Sequence, residues 1–197
     1  MNVLSILIRP LNYLRITHSQ KIHWDITIPL FLAILATLIL SILPEKVQVF
    51  KEGGLIQEVN SLIQILAGFY IASLAAVASF NGSNLDEEML GEPVQLSVKR
   101  GGRRLTLNLT RRLFLCSLFG YLAYMSILIY FLGVSANLLV ENFIVIAPAS
   151  VFGISKVVFV FVYLSVFFNV MIATLIGLYY MADRIHRTEP KLEKRES

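Results

Sequence analysis

Four long apolar runs separated by short polar segments dominate the hydropathy pattern of this 197-residue chain. An α-helix needs about 20 apolar residues to cross roughly 30 Å of hydrocarbon, and each run approaches or exceeds that length. The pattern therefore predicts an all-α membrane protein built as a four-helix transmembrane bundle. The predicted spans are residues 26–43, 55–80, 113–135 and 157–182.

The cations lie unevenly around these runs. Of the 17 lysines and arginines, fourteen belong to the N-terminal segment, the loop between spans two and three, or the C-terminal tail. Only Lys46, Lys51 and Lys156 fall on the other side. Because cytoplasmic loops carry the excess of Lys and Arg, we expect both termini and loop 81–112 in the cytoplasm. The expected location is a bacterial inner membrane.

Composition supports one membrane domain and no separate soluble one. The chain is 56% apolar and 15% charged, with a mean hydropathy of +0.71, whereas soluble domains are about 25% charged. The single cysteine, Cys116, lies inside the third run, so we expect neither a disulfide framework nor a metal cluster. The first run has no small-residue cleavage site after it and is interpreted as a retained span.

Span two carries a continuous stripe of polar and small residues. Its members recur every three or four positions, and the stripe is polar at the outer end and small toward the inner end. Helices in lipid associate through small residues and inter-helical hydrogen bonds. The stripe therefore predicts packing within one subunit, a seam between subunits of a homo-oligomer, or a pore lining. Its residues are Gln57, Ser61, Gln64, Gly68, Ala72, Ala75 and Ser79.

Three further segments have polar residues at predicted membrane depth or at its border. Asn169 lies near the centre of span four, and we expect its amide to face protein, as a helix-contact or pore candidate. Residues 1–22 place polar and apolar positions on opposite stripes, which predicts an interfacial helix, kinked or divided at Pro10. Arg9 and Arg15 would then face lipid headgroups. Residues 136–156 are interpreted as an outer loop in the interface or dipping partway into the membrane.

The cytoplasmic loop contains a predicted β-hairpin over residues 94–110. Gly101-Gly102 is a two-residue turn signal, because both turn positions require positive φ. Closing that turn pairs Val98 with Leu105 and sorts apolar and polar residues to opposite faces. An isolated hairpin is marginal in water, so its apolar face should rest on something. The partner-binding candidates are Leu96, Lys99, Arg100, Arg103, Arg104 and Leu107.

No motif for catalysis is present in the sequence. Nucleophile elbows, P-loops and paired zinc-ligand histidines are missing, and the acids near the spans (Asp25, Glu58 and Asp183) lie at span ends, where snorkelling or capping suffices. We therefore expect a non-enzymatic protein without cofactors. Direct nucleic-acid binding is not expected, because topology accounts for the cations. The tail 183–197 is interpreted as solvated.

The layout of the whole chain resembles the small four-span membrane subunit of the bacterial Kiwa anti-phage system. The shared features are a length of about 200 residues, two cytoplasmic ends and a compact loop between spans two and three. The resemblance implies an oligomeric, non-enzymatic component that senses phage at the envelope and works with a cytoplasmic, DNA-binding partner subunit.

Two functional hypotheses follow from the sequence. In the first, the chain is an oligomeric membrane sensor or scaffold, in contact with membrane lipids, that docks a cytoplasmic effector. In the second, it is a small oligomeric channel lined by the span-two stripe. The Gly/Ala inner half of the stripe fits packing better than an aqueous path, which favours the first.

Overall fold

The computed structural model describes residues 3–17, 21–43, 47–80, 85–87, 95–100 and 103–182. Among them are four helices long and apolar enough to cross a membrane, as expected of a multi-pass membrane protein. The first begins with a π-helical segment (His23–Thr27) that continues into α2 (Ile28–Ile42). The others are α3 (Leu55–Ser79), α4 (Arg111–Ile146) and α5 (Ala149–Ala182).

Helices α4 and α5 extend well beyond the predicted spans. They occupy nearly all of residues 136–156, so the predicted outer loop is wrong: only Ala147 and Pro148 separate the two helices. Neither Glu141 nor Gly153 interrupts a helix, since a single charge or glycine costs at most about 1 kcal/mol of helix propensity. Pro148 precedes the first turn of α5, where its missing N–H is harmless, and its carbonyl accepts from the Phe152 N–H.

The N-terminal segment is divided at Pro10, as expected, but it does not form the interfacial helix predicted over 1–22. It forms the short helix α1 (Val3–Leu7), a 3-10 helix (Arg9–Arg15) and the two-residue strand β1 (Ile16–Thr17). Pro10 stands at the start of the 3-10 helix and accounts for the division. Tyr13 is 2% exposed and Ile16 is 3% exposed, so the segment packs on the bundle. Met1 and Asn2 lie outside the described residues.

Strands β2 (Gln95–Arg100) and β3 (Arg103–Asn108) lie between α3 and α4 along the chain and pair antiparallel. Their register sets Val98 opposite Leu105 and Lys99 opposite Arg104. Strand β1 adds to the outer edge of β2, which gives the order β1-β2-β3. The predicted turn Gly101-Gly102, position 94 and the tail 183–197 lie outside the described residues.

The helices pack as a chain of neighbours: α2 lies on α5, α5 on α4, and α4 on α3. The core is aromatic and aliphatic. Tyr70 of α3 and Tyr163 of α5 are fully buried, and Phe119 of α4 is 1% exposed. Helix α2 buries only one stripe, formed by Pro29, Ala33 and Thr37, and its remaining face is exposed and apolar, as a lipid-facing helix requires.

Candidate functional sites

A buried ionisable network stands where the N-terminal segment meets the bundle. At its centre is Asp25, which is 8% exposed and lies in the π-helical turn that opens the first span. Lys21 forms an ion pair with the Asp25 carboxylate from one helical turn earlier. The Tyr13 hydroxyl donates to Asp25 Oδ1 at 3.3 Å, and the Lys21 ammonium lies 4.3 Å from the centre of the Tyr13 ring. A single π turn is frequent at functional positions.

Asn169 ties this network to helices α4 and α5. Its Nδ2 donates to the Asp25 backbone carbonyl at 2.7 Å, and its Oδ1 accepts from the Tyr121 hydroxyl at 2.6 Å. The Tyr121 ring stacks on Tyr13 at 4.8 Å between centroids. The Asn169 amide is therefore bonded at both ends to protein groups, which offsets the cost of an amide at membrane depth.

The electrostatics of the network keep Tyr13 protonated. Burial raises the pKa of Tyr13 far above its ordinary value, and the neighbouring Asp25 carboxylate raises it further. The phenol is therefore a permanent hydrogen-bond donor to Asp25, while Lys21 supplies the balancing charge. A buried carboxylate paired in this way is costly to strand, because removing one partner leaves an uncompensated charge.

The same segment also reaches the cytoplasmic-loop sheet. The Ile16 N–H donates to the Tyr13 carbonyl at the end of the 3-10 helix, and Ile16 then pairs with Leu96 of β2. Thr17 pairs with Gln95. Covalent chain and hydrogen bonds thus form one continuous path from Asn169 on α5, through Asp25 and Tyr13, to the edge of β2.

A second polar cluster fixes α3 against α4 and α5. The Tyr163 hydroxyl donates to Asn60 Oδ1 at 2.9 Å, and Asn60 Nδ2 donates to the Tyr130 carbonyl at 3.4 Å. Gly133 of α4 lies against this amide so closely that a Cβ there would be 2.7 Å from Asn60 Nδ2. The side chains of Asn60 and Tyr163 are both buried, so the cluster stabilises the packing between helices and offers no surface to a ligand.

A third cluster closes the loop end of the bundle. Arg112 binds Asp86 with two nitrogens, at 2.7 Å and 3.1 Å. Its guanidinium also donates to the carbonyls of Val77 and Phe80, which end α3. The hydrogen bond from Arg112 lowers the pKa of the Asp86 carboxyl.

The span-two stripe faces away from its own subunit. Every member is exposed, and nothing lies within 4 Å of where a Gly68 Cβ would be. Packing within one subunit, one of the three interpretations of the stripe, is therefore wrong. The polar members are Gln57, Ser61, Gln64 and Ser79, and the small ones are Gly68, Ala72 and Ala75.

The polar members of the stripe differ in how their own subunit satisfies them. The Ser61 hydroxyl donates to the carbonyl one turn earlier, and Gln57 Oε1 accepts from the Gly53 N–H at 2.8 Å. Gln64 makes no side-chain hydrogen bond to any part of the chain that the structure describes. It is thus an exposed, unsatisfied amide near the middle of an apolar helix.

The partner-binding candidates are placed only by their backbone. Lys99 pairs with Arg104 and Arg100 with Arg103, so the strands bring four cationic positions to one end of the sheet. Leu96 pairs with Leu107 further along, but the side chains of all six positions are outside the described part of the chain. Of the lipid-headgroup candidates, Arg9 and Arg15 are both exposed.

The sequence did not predict the Asp25 network, because Asp25 looks like an ordinary acid at a span border. Its partners Tyr13, Tyr121 and Asn169 are distant in sequence, and only Lys21, at i–4, gave a local signal.

Within the described residues, no group of three or more His, Cys, Asp or Glu side chains could hold a metal ion. Comparisons with protein-family models, curated proteins and solved structures found no match to this chain.

Proposed function

We propose that this chain is a non-enzymatic, oligomeric sensor or scaffold of the bacterial inner membrane that docks a cytoplasmic effector. The observation that carries the proposal is the continuous path from Asn169, through Asp25 and Tyr13, to strand β2. Both termini and the sheet face the cytoplasm in this proposal. A role in anti-phage defence is proposed on the layout resemblance alone.

In this proposal, the N-terminal segment couples the spans to the sheet. A change in how α2 packs on α5 alters the contact between Asp25 and Asn169. Because Tyr13 is hydrogen-bonded to the carboxylate of the same Asp25, it is displaced as well. Because β1 follows Tyr13 by only three residues, a displaced Tyr13 pulls on the edge of β2. Such a switch needs a two-state element that both ends bias, and a buried polar network is a suitable one.

Asp25→Asn tests the coupling. The substitution leaves the Lys21 charge without its partner, and removing one partner of a buried pair typically costs about 3–5 kcal/mol. We expect faster hydrogen exchange at the amides of residues 95–108 and weaker capture of a cytoplasmic partner from native membranes. Lys21→Met should give the same pattern.

Tyr163→Phe is the matched control for these two variants. It removes a buried hydrogen bond to Asn60 within the bundle. In the described part of the chain, no ion pair or hydrogen bond joins Tyr163 to the N-terminal segment. If Tyr163→Phe accelerates exchange in β2 and β3 as much as Asp25→Asn does, the sheet responds to general loss of stability. The coupling role would then be rejected.

Self-association is proposed through the exposed stripe of α3. An unsatisfied amide in hydrocarbon costs free energy, and a second copy can offer Gln64 a partner. The small residues further along, Gly68 and Ala72, allow two backbones to approach closely. A two-fold axis would place the same stripe on both sides of such a contact.

Gly68→Leu and Ala72→Leu test the seam. Because Gly68 has open space around it in the protomer, the larger side chain should leave the fold intact and weaken only association. Leu62→Ile, also on the exposed surface of α3, should change neither. An unchanged oligomer mass in detergent for both bulky variants would exclude the stripe from subunit contacts.

Docking through the sheet has its own test. Arg103→Glu combined with Arg104→Glu should weaken capture of an acidic partner in a salt-dependent way, because charges steer association over a Debye length. Leu96→Asp should abolish capture at any salt, since it changes the apolar face predicted from the alternation. If both variants insert and capture partners as the parent does, docking moves to the tail or the N-terminal segment.

A channel is the alternative, and the exposure of Gln57, Ser61 and Gln64 on one face is the observation that favours it. Several copies around an axis would line a path with these side chains. Conductance in reconstituted bilayers that responds to Gln57→Leu or Gln64→Leu would promote the channel above the scaffold. Absence of conductance in an assembled oligomer would remove it.

A further inference from the structure

The end of the α4–α5 helical hairpin is an uncharged apolar tip. We define the tip as residues 142–155, which lie between the last charge of α4, Glu141, and the first charge of α5, Lys156. Its large side chains are strongly exposed: Val145 is 85% exposed, Ile146 81% and Ile154 68%. These are among the most exposed apolar residues of the described chain.

The tip lies beyond the buried part of α4. Gly133 of α4 lies against Ile56 and Asn60, in the first turns of α3. Beyond Gly133, the last buried residue of α4 is Val140, which is 7% exposed, and Ile146 lies about 9 Å further along the helix at about 1.5 Å per residue. The rings of Phe143 and Phe152 approach to 6.3 Å and hold the two helices together there.

Exposure of the tip extends around the helices rather than along one face. All six residues from 141 to 146 are exposed, as are residues 149–151 and 153–154. A protein partner covers one face of a helix, whereas an environment that is apolar on every side matches lipid. An apolar patch of this kind left in water would be an aggregation liability.

We propose that the tip is a lipid anchor that lies at the boundary between headgroups and acyl chains in the outer leaflet. Glu141 and Lys156 then lie near the base of the tip, with charged ends free to reach headgroups or water. Interfacial anchors commonly bury their apolar residues about 5–10 Å into this boundary, a depth that the tip can fill. The outer leaflet is the one opposite the termini, so the choice of leaflet rests on the proposed topology, whereas the contact with lipid does not.

The test uses a polarity-sensitive NBD fluorophore on single cysteines in a Cys116→Ser background. Val145→Cys and Ile154→Cys probe the tip, and because both side chains are exposed, neither change removes core packing. Phe31→Cys, 63% exposed on α2, is the control for lipid, and Glu52→Cys, exposed in the linker before α3, is the control for water. Each labelled protein is reconstituted in phosphatidylethanolamine–phosphatidylglycerol vesicles.

The proposal expects both tip probes to emit at short wavelength, close to the Phe31 probe. Lipid that carries a doxyl group close to its headgroup should quench both tip probes several-fold more than aqueous iodide does. At the Glu52 position, iodide should quench several-fold more than the doxyl lipid. Strong iodide quenching at the tip from either side of the vesicle would place it in water and overturn the proposal.

Short-wavelength emission without quenching by doxyl lipid would mean that protein, such as a second copy, covers the tip, and would also overturn it. Repeating the measurement with Gly68→Leu separates this result from self-association, because a lipid contact persists when the α3 seam is weakened. Failure of the sensor or oligomer proposals leaves the expected quenching unchanged.

Discussion

Gly133→Ala should separate α4 from α3, although it adds only one methyl group. The new Cβ would lie 2.7 Å from Asn60 Nδ2 and 2.9 Å from Ile56 Cγ2, both closer than real Cβ contacts allow. The Asn60 side chain cannot simply turn away, because its Oδ1 accepts the hydrogen bond from Tyr163 at 2.9 Å. Either the helices move apart or that hydrogen bond breaks.

Three terms give the magnitude. Overpacking of a well-filled contact costs about 1–3 kcal/mol. Loss of the bond between Tyr163 and Asn60 adds about 0.6–1.7 kcal/mol, which are the mean and the maximum from double-mutant cycles of inter-helical hydrogen bonds in a membrane protein. Replacing glycine by alanine returns about 1 kcal/mol of helix propensity. The net loss in free energy of unfolding for Gly133→Ala is therefore on the order of 1–4 kcal/mol.

Gly120→Ala on the same helix is the matched control, because nothing lies within 4 Å of its Cβ position. It should be neutral or stabilising by up to about 1 kcal/mol. Unfolding in mixed detergent–SDS micelles, followed through Trp24, the single tryptophan, measures both variants. If Gly133→Ala is as stable as Gly120→Ala, the close packing of α3 on α4 is refuted. Asn60→Ala in the Gly133→Ala background should recover part of the loss.

Three further predictions concern topology, the contact between Arg112 and Asp86, and a buried hydrogen bond. In a Cys116→Ser background, a cysteine at Ser83 should resist an impermeant thiol reagent added to intact cells, and its labelling would overturn the proposed orientation. Because Arg112 lowers the pKa of Asp86, their contact stabilises the fold above the ordinary carboxyl pKa of about 4 and is lost as pH falls through the lowered value. Asp86→Asn should therefore lower the thermal midpoint at pH 7 but not at a pH below the lowered pKa of Asp86, and equal shifts of the midpoint at these two pH values would contradict this. Tyr70→Phe should cost only about 0.6 kcal/mol in the same micelle assay, because Thr174 keeps its bond to the Val170 carbonyl; a loss of several kcal/mol would contradict it.

The four long helices follow directly from the sequence, because length and hydropathy decide a span before any tertiary contact does. Helix ends are harder to predict. Glu141, Pro148 and Gly153 suggest a loop by composition, yet α4 and α5 run through the first and last of these. Only Pro148 falls at a break, because it alone lacks the N–H that a helix interior needs.

The direction in which a helix face points and the contacts between distant residues could not be predicted from the sequence, because both depend on tertiary structure. The spacing from Gln57 to Ser79 defines one face of α3, but a face can point inward or outward, and only the packing of α3 on α4 shows that it points outward. The Asp25 network joins residues more than a hundred positions apart, such as Tyr13 and Tyr121. Hydrophobic periodicity carries no information about such pairs.

The strand order β1-β2-β3 constrains when the N-terminal segment can fold onto the rest of the chain during synthesis. Strand β1 leaves the ribosome first but pairs with Leu96, and Tyr13 stacks on a ring of α4 that is translated later still. The first two spans, β2 and α4 must therefore all be made before the N-terminus can dock, and such long-range closures are slow. We expect a bulky N-terminal fusion to leave membrane insertion intact and to block this final docking step, so reporters for this protein belong at the C-terminus.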